Sequence, residues 1–128
     1  MQIKMNTDHN IEGHEALGAY VCSVVEDALG QTSDRITRVE IHLSDENSDK
    51  KHGKDNIRCV MEARLEGLQP VAVTHYAETL HQAVDGAADK LYRLVDSTLG
   101  RLSEQKSHRD KASSRQNLYE EQKLVDEN

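Results

Sequence analysis

A chain of 128 residues, 36% hydrophobic and 30% charged, is long enough for one domain with its own core and too polar to suggest more. The formal charge of -7 argues against a uniformly basic surface, and the absence of Trp and Phe removes the aromatic platform on which single-stranded nucleic acids stack. No apolar run approaches the roughly 18 residues that span a bilayer, and the opening residues resemble neither a signal nor a transit peptide, so a soluble, cytoplasmic protein is expected.

Residues 2 to 7 alternate, placing Ile3 and Met5 on one face of a first strand. From Glu12 to Gly30, Leu17, Tyr20, Val21, Val24, Val25, Ala28 and Leu29 form one stripe of an amphipathic helix, and Gly30 is expected to stop it in the left-handed conformation. Ile36 to Leu43 reads as a half-buried strand, with Val39, Ile41 and Leu43 inward and Arg38, Glu40 and His42 outward. Ser44 to Asp55 carries almost nothing apolar and reads as a long hairpin loop.

A third strand is expected from Ile57 to Glu66, with Ile57, Cys59, Met61, Ala63 and Leu65 inward and Arg58, Glu62 and Arg64 outward. Gly67 to Pro70 turns the chain into a fourth strand, Val71 to Tyr76, with Val71 and Val73 inward. Thr79 is a natural N-cap for a second helix to about Leu102, whose apolar positions run from Leu80 through Val84, Leu91 and Val95. Residues 103 to 128 hold too few apolar side chains to build a core and are expected to form a flexible polar tail.

The order β-α-β-β-β-α predicts an α+β two-layer sandwich over residues 1 to 102. A four-stranded sheet carries both helices on one face, as in double-stranded-RNA-binding domains, and leaves the other face in water. Cys22 and Cys59 fall in apolar patterns and are read as buried free thiols.

Chemistry has little to attach to in this sequence. The seven His, including His9, His14, His42, His52 and His75, form no His-Glu-x-x-His arrangement, and the Cys pair lacks C-x-x-C spacing, so neither metal nor cofactor is expected. No G-x-S-x-G elbow and no phosphate loop of the GxxxxGK[ST] type occurs, so an enzyme is not expected. What remains is a set of surface cations: Lys50, Lys51 and Lys54 in the long loop, Arg38, Arg58 and Arg64 on the open sheet face, and Lys90, Arg93 and Arg101 along the second helix. Such clusters meet phosphates locally even on an acidic protein, whereas ordinary surface charge would pair with Glu40 and Glu62 across strands.

The segments Ile36-Thr37-Arg38-Val39-Glu40-Ile41-His42-Leu43, Arg58-Cys59-Val60-Met61-Glu62-Ala63-Arg64 and Leu80 to Arg93, with its Ala83-Val84-Asp85 and Asp89-Lys90-Leu91, resemble the ribosome hibernation promoting factor family. This family is also known as HPF/RaiA, ribosomal subunit interface proteins or sigma-54 modulation proteins. The resemblance covers roughly residues 1 to 102. It implies a ribosome-associated translation inhibitor that binds the small subunit over the decoding region, in the intersubunit cleft, and blocks transfer RNA and messenger RNA under stress or in stationary phase. Lys90 and Arg93, then Arg101 and Arg38, are the matching positions for contact with ribosomal RNA, and no DNA or membrane partner is implied.

The sequence departs from the family pattern in charge: the first helix has no Lys or Arg, and residues 1 to 102 hold 11 basic against 17 acidic side chains. The polar tail is too short to fold into the second domain of the long members, which implies a short, monomeric form. A module of the same fold that binds a protein partner is the competing expectation, distinguished by binding that persists in high salt.

Overall fold

The computed structural model describes residues 1–8, 11, 14–46 and 55–118, with side chains described through residue 102 except at position 14. The elements run β1 (Gln2–Thr7), α1 (His14–Leu29), a 3-10 segment (Gly30–Arg35), β2 (Ile36–Asp45), β3 (Ile57–Leu65), β4 (Val71–Ala77) and α2 (Leu80–Leu118). Residues Met1–Val95 and Asp96–Asn128 form two separate units.

The sheet order is β1-β2-β3-β4. β1 and β2 pair in parallel, which a two-residue turn cannot achieve, and α1 supplies the crossover. The β2–β3 and β3–β4 pairs are antiparallel hairpins, making this the expected mixed four-stranded α+β sheet. The base of the first hairpin is closed by the Glu46 N–H donating to the Asn56 carbonyl at 2.8 Å and by Asn56 Nδ2 donating to Asp45 Oδ1 at 3.0 Å.

Alternation in β2 and β3 sets the core. Val39, Ile41, Leu43, Cys59, Met61 and Ala63 are all fully or almost fully buried, and so are Val21 and Val25 of α1 and Ala83, Val84, Ala87, Leu91 and Val95 of α2. Burying each of the Val, Leu, Ile and Met side chains among these contributes on the order of 1.5–3 kcal/mol toward folding. Among the described residues no buried polar or charged side chain interrupts this core. The other sheet face, with Gln2, Lys4, Arg38, His42, Arg64, Thr74 and Tyr76, is open or half-open.

The N-cap of α2 forms as expected, with the Gln82 N–H donating to Thr79 Oγ1 at 3.1 Å. Three expectations are corrected. Gly30 does not take a left-handed conformation; the α-helix tightens instead into the 3-10 segment, and among the described residues the positive-φ glycine is Gly67, at 72° in the β3–β4 turn. Helix α2 continues 16 residues past Leu102 to Leu118, because the stretch after Gly100 has no Gly or Pro and consists largely of residues with good helix propensity. Cys22 is half-buried rather than buried, since it sits beside the apolar stripe of α1 and not within it, while Cys59 is buried.

Candidate functional site

The expected cations fall into separate groups. Arg38, Arg58 and Arg64 lie on the open face of the sheet, Lys90 and Arg93 on α2 at the covered side, and Arg101 in the second unit, where its Nη1 donates to Ser97 Oγ at 3.1 Å. Lys50, Lys51 and Lys54 lie outside the described residues.

On α2 both cations are already engaged. Lys90 Nζ donates to the Thr74 carbonyl of the edge strand β4 at 2.9 Å, tying the helix to the backbone of that strand. Arg93 Nη2 pairs with Asp89 Oδ2 at 2.9 Å one helical turn away, but with 73% and 57% of the two side chains exposed the pair contributes only about 0.3–0.5 kcal/mol. The helices present Glu15, Glu26, Asp27, Asp85 and Asp89 to solvent against these two cations, so this side of the molecule is acidic.

The open sheet face has the opposite character. Reading across β1, β2 and β3, Gln2, Arg38 and Arg64 form one row, and Lys4, Glu40 and Glu62 form the next. Across strands, therefore, arginine faces arginine and glutamate faces glutamate, and the expected cross-strand Arg–Glu pairing is absent from these rows. Arg38 instead finds its acid along its own strand, with Nη2 at 2.9 Å from Glu40 Oε2, and His42 Nε2 lies 3.6 Å from the other oxygen of the same carboxylate. Arg38 Nε is enclosed without a hydrogen-bond partner. Arg58 sits half-buried three rows along from the Arg38–Arg64 row, between Ser44 and Tyr76.

Gln2 and Thr37 join this surface and were not singled out by sequence reasoning. A register shift between Ile36 and Arg38 puts Thr37 at a bulge, where its hydroxyl donates to the Arg64 carbonyl at 3.2 Å. Gln2, Thr37, Arg38 and Arg64 line an open depression of about 350 Å³. The outward phase of Gln2 was readable from the alternation of β1; the bulge carried no sequence signal.

A second cluster joins α1 to α2. Tyr20, expected to be one apolar position among several, is half-buried, and its hydroxyl donates to Asp85 Oδ1 at 2.5 Å while its ring lies 4.1 Å from that of His81. The hydrogen bond to the Asp85 carboxylate, helped by desolvation, raises the tyrosine pKa above its ordinary value. Among the described residues no group of three or more His, Cys, Asp or Glu is arranged to hold a metal ion. Of the described helices none is long and apolar enough to cross a membrane.

A profile of the family described as Sigma 54 modulation protein / S30EA ribosomal protein matches residues 5–103, a span from β1 into α2. No curated protein matches the chain. Among solved structures, the N-terminal domain of Protein Y from Thermus thermophilus shares the fold at a TM-score of 0.60 and 24% identity, over 77% of this chain and 99% of that one. A ribosomal subunit interface protein from Coxiella burnetii does so at 0.58 and 16% identity, over 78% and 99%.

Proposed function

The chain belongs to the Sigma 54 modulation protein / S30EA ribosomal protein family, and from that premise we propose that it is a ribosome hibernation factor that works in the cytoplasm by binding, without catalysis. In this reading it enters the intersubunit cleft as a monomer, docks on the small subunit over the decoding region and excludes transfer RNA and messenger RNA during stress or stationary phase. The observation that carries the proposal is the family match over nearly the whole β-α-β-β-β-α unit. The two solved structures, one named a ribosomal subunit interface protein, support the fold.

Contacts to ribosomal RNA are assigned to Lys90, Arg93, Arg101, Arg38, Arg58, Arg64, Lys50, Lys51 and Lys54. Cations of this kind fix position on phosphates, and the shape of the RNA supplies recognition. Residues 103 to 128 act as a polar extension reaching along the messenger RNA path.

The test is cosedimentation of the full chain with bacterial small subunits between about 50 and 200 mM salt, a range over which phosphate-driven binding falls steeply. An Arg93→Glu variant and an Arg38→Gln/Arg58→Gln/Arg64→Gln variant are run beside it, each checked for fold by circular dichroism. Loss with salt and with either variant supports RNA contact. The acidic helix side, with Glu15, Glu26, Asp27, Asp85 and Asp89, favours the second reading, a protein partner docked there. Salt-resistant capture on ribosomes that neither variant weakens would replace the first reading with that one.

A further inference from the structure

We propose that the corner of the open sheet face formed by Gln2, Arg38 and Arg64 is a phosphate-binding subsite, occupied in the working complex by a phosphodiester of an RNA backbone. The source of the phosphate rests on the ribosome-binding function proposed above; the site itself rests on four features of the chain.

Arg38 and Arg64 are directly opposed across β2 and β3. Like charges in that position destabilise a sheet by a few tenths of a kcal/mol, whereas exchanging one of them with the neighbouring glutamate row would have gained an ion pair. The acid nearest the pair, Glu40, is committed to Arg38 at 2.9 Å, and Arg64 has no ion-pair partner among the described residues. The Nε of Arg38 is enclosed without an acceptor, so the protein itself leaves the hydrogen-bonding capacity of this guanidinium partly unused. Finally, the depression is lined by Gln2, Thr37, Arg38 and Arg64, two cationic and two neutral polar residues with no acidic residue among them.

The geometry suits a phosphate better than a carboxylate side chain of a partner. Arg38 and Arg64, on adjacent strands, line one depression; the planar donors of Arg64 match the oxygens of a phosphate, and Arg38 adds positive charge beside them while its Nη2 holds Glu40. Gln2, the neighbour of Arg38 in β1, adds amide donors at the same row. Thr37 does not donate to the ligand, because its hydroxyl already donates to the Arg64 carbonyl; it holds the bulge that forms the rim.

The experiment uses the full chain labelled with nitrogen-15, titrated with inorganic phosphate and, separately, with sodium chloride at matched ionic strength. The arginine Nε–H and Gln2 side-chain signals are followed in the wild type and in Arg64→Gln. The expected result is a saturable shift with phosphate only, weakened about tenfold in Arg64→Gln by loss of one charge-assisted contact. The melting temperature of that variant should be unchanged or higher, because a like-charge opposition has been relieved; a residue kept for the fold would show the reverse. Equal shifts with chloride, or an unaltered titration in Arg64→Gln, overturn the site. A second arm measures cosedimentation of the same variant with small subunits. Weaker binding supports the RNA assignment, and unchanged binding beside wild-type cosedimentation overturns it while the proposed function stands. If the wild type itself fails to cosediment, it is the proposed function that falls, whatever the phosphate titration gives.

Discussion

The Tyr20 hydroxyl of α1 donates to Asp85 of α2 at 2.5 Å, so the two helices are joined by a directed bond as well as by apolar packing. Asp85 lies in the Ala83-Val84-Asp85 segment that most resembles the family, and in this chain that carboxylate is occupied by the fold. Tyr20→Phe keeps the ring against His81 and removes only the hydroxyl, so a loss of about 0.5–1.5 kcal/mol is expected. Tyr92→Phe, at an exposed tyrosine, should leave stability unchanged in the same denaturant series. Equal effects of the two substitutions would show that the Tyr20–Asp85 bond contributes nothing.

The next residue of that segment, Gly86, has the ring of His75 from β4 directly over it, and a Cβ at this position would overlap the ring. In an exposed helix Gly→Ala gains about 0.5–1 kcal/mol through reduced backbone freedom. Here Gly86→Ala is expected to destabilise instead, by about 1 kcal/mol or more, because the ring must leave its seat. In a His75→Ala background the same substitution should become stabilising. Thermal unfolding of the two single variants and the double variant measures this reversal of sign as a coupling between residues in contact.

Lys90, five residues before the end of the first unit at Val95, supplies a further check on the same stretch. Its ammonium caps the Thr74 carbonyl on the β4 edge, so Lys90→Met should retain the packing of the stem and raise amide exchange along Val71–Ala77. Hydrogen exchange read by mass spectrometry reports it. An unchanged β4 would mean that the lysine is free for an outside partner.

Strand alternation and helical stripes made most of the fold legible, because each inward position from Val39 to Leu65 had to be apolar to be buried. The charge arrangement was not legible. Whether Arg38 meets Ala63 or Arg64 depends on a one-residue bulge at Thr37, and a single sequence carries no signal for such a bulge. Cations that look alike in sequence also turned out unlike in place: Lys90 and Arg93 serve contacts within the first unit, while Arg64 has no such duty among the described residues. The helix beyond Leu102 escaped notice because apolar periodicity was the signal being read, and a polar helix has none.

Burial pushes the Cys59 thiol up to about 12 from the 9.0 of an exposed cysteine, which couples folding to alkaline pH. In the unfolded chain the thiol ionises near its ordinary value, while in the folded chain it stays protonated, so above about pH 9 the unfolded state binds fewer protons and stability falls as pH rises. The contribution is fully present below that pH and is lost progressively toward about pH 12, with a limiting slope of about 1.4 kcal/mol per pH unit. Tyr20, also shifted upward, adds to the decline above its own ordinary pKa of 10.0. Urea unfolding of the wild type and of Cys59→Ala between pH 8 and 11 should therefore show the variant less stable at pH 8, through the cavity left in the core, but losing less stability per pH unit above pH 9. Parallel alkaline limbs would mean that ionisation of Cys59 is not what limits the fold. Thiol labelling at pH 8 gives an independent reading of the same burial: half-buried Cys22 should react in the folded chain, and Cys59 only at the rate of unfolding.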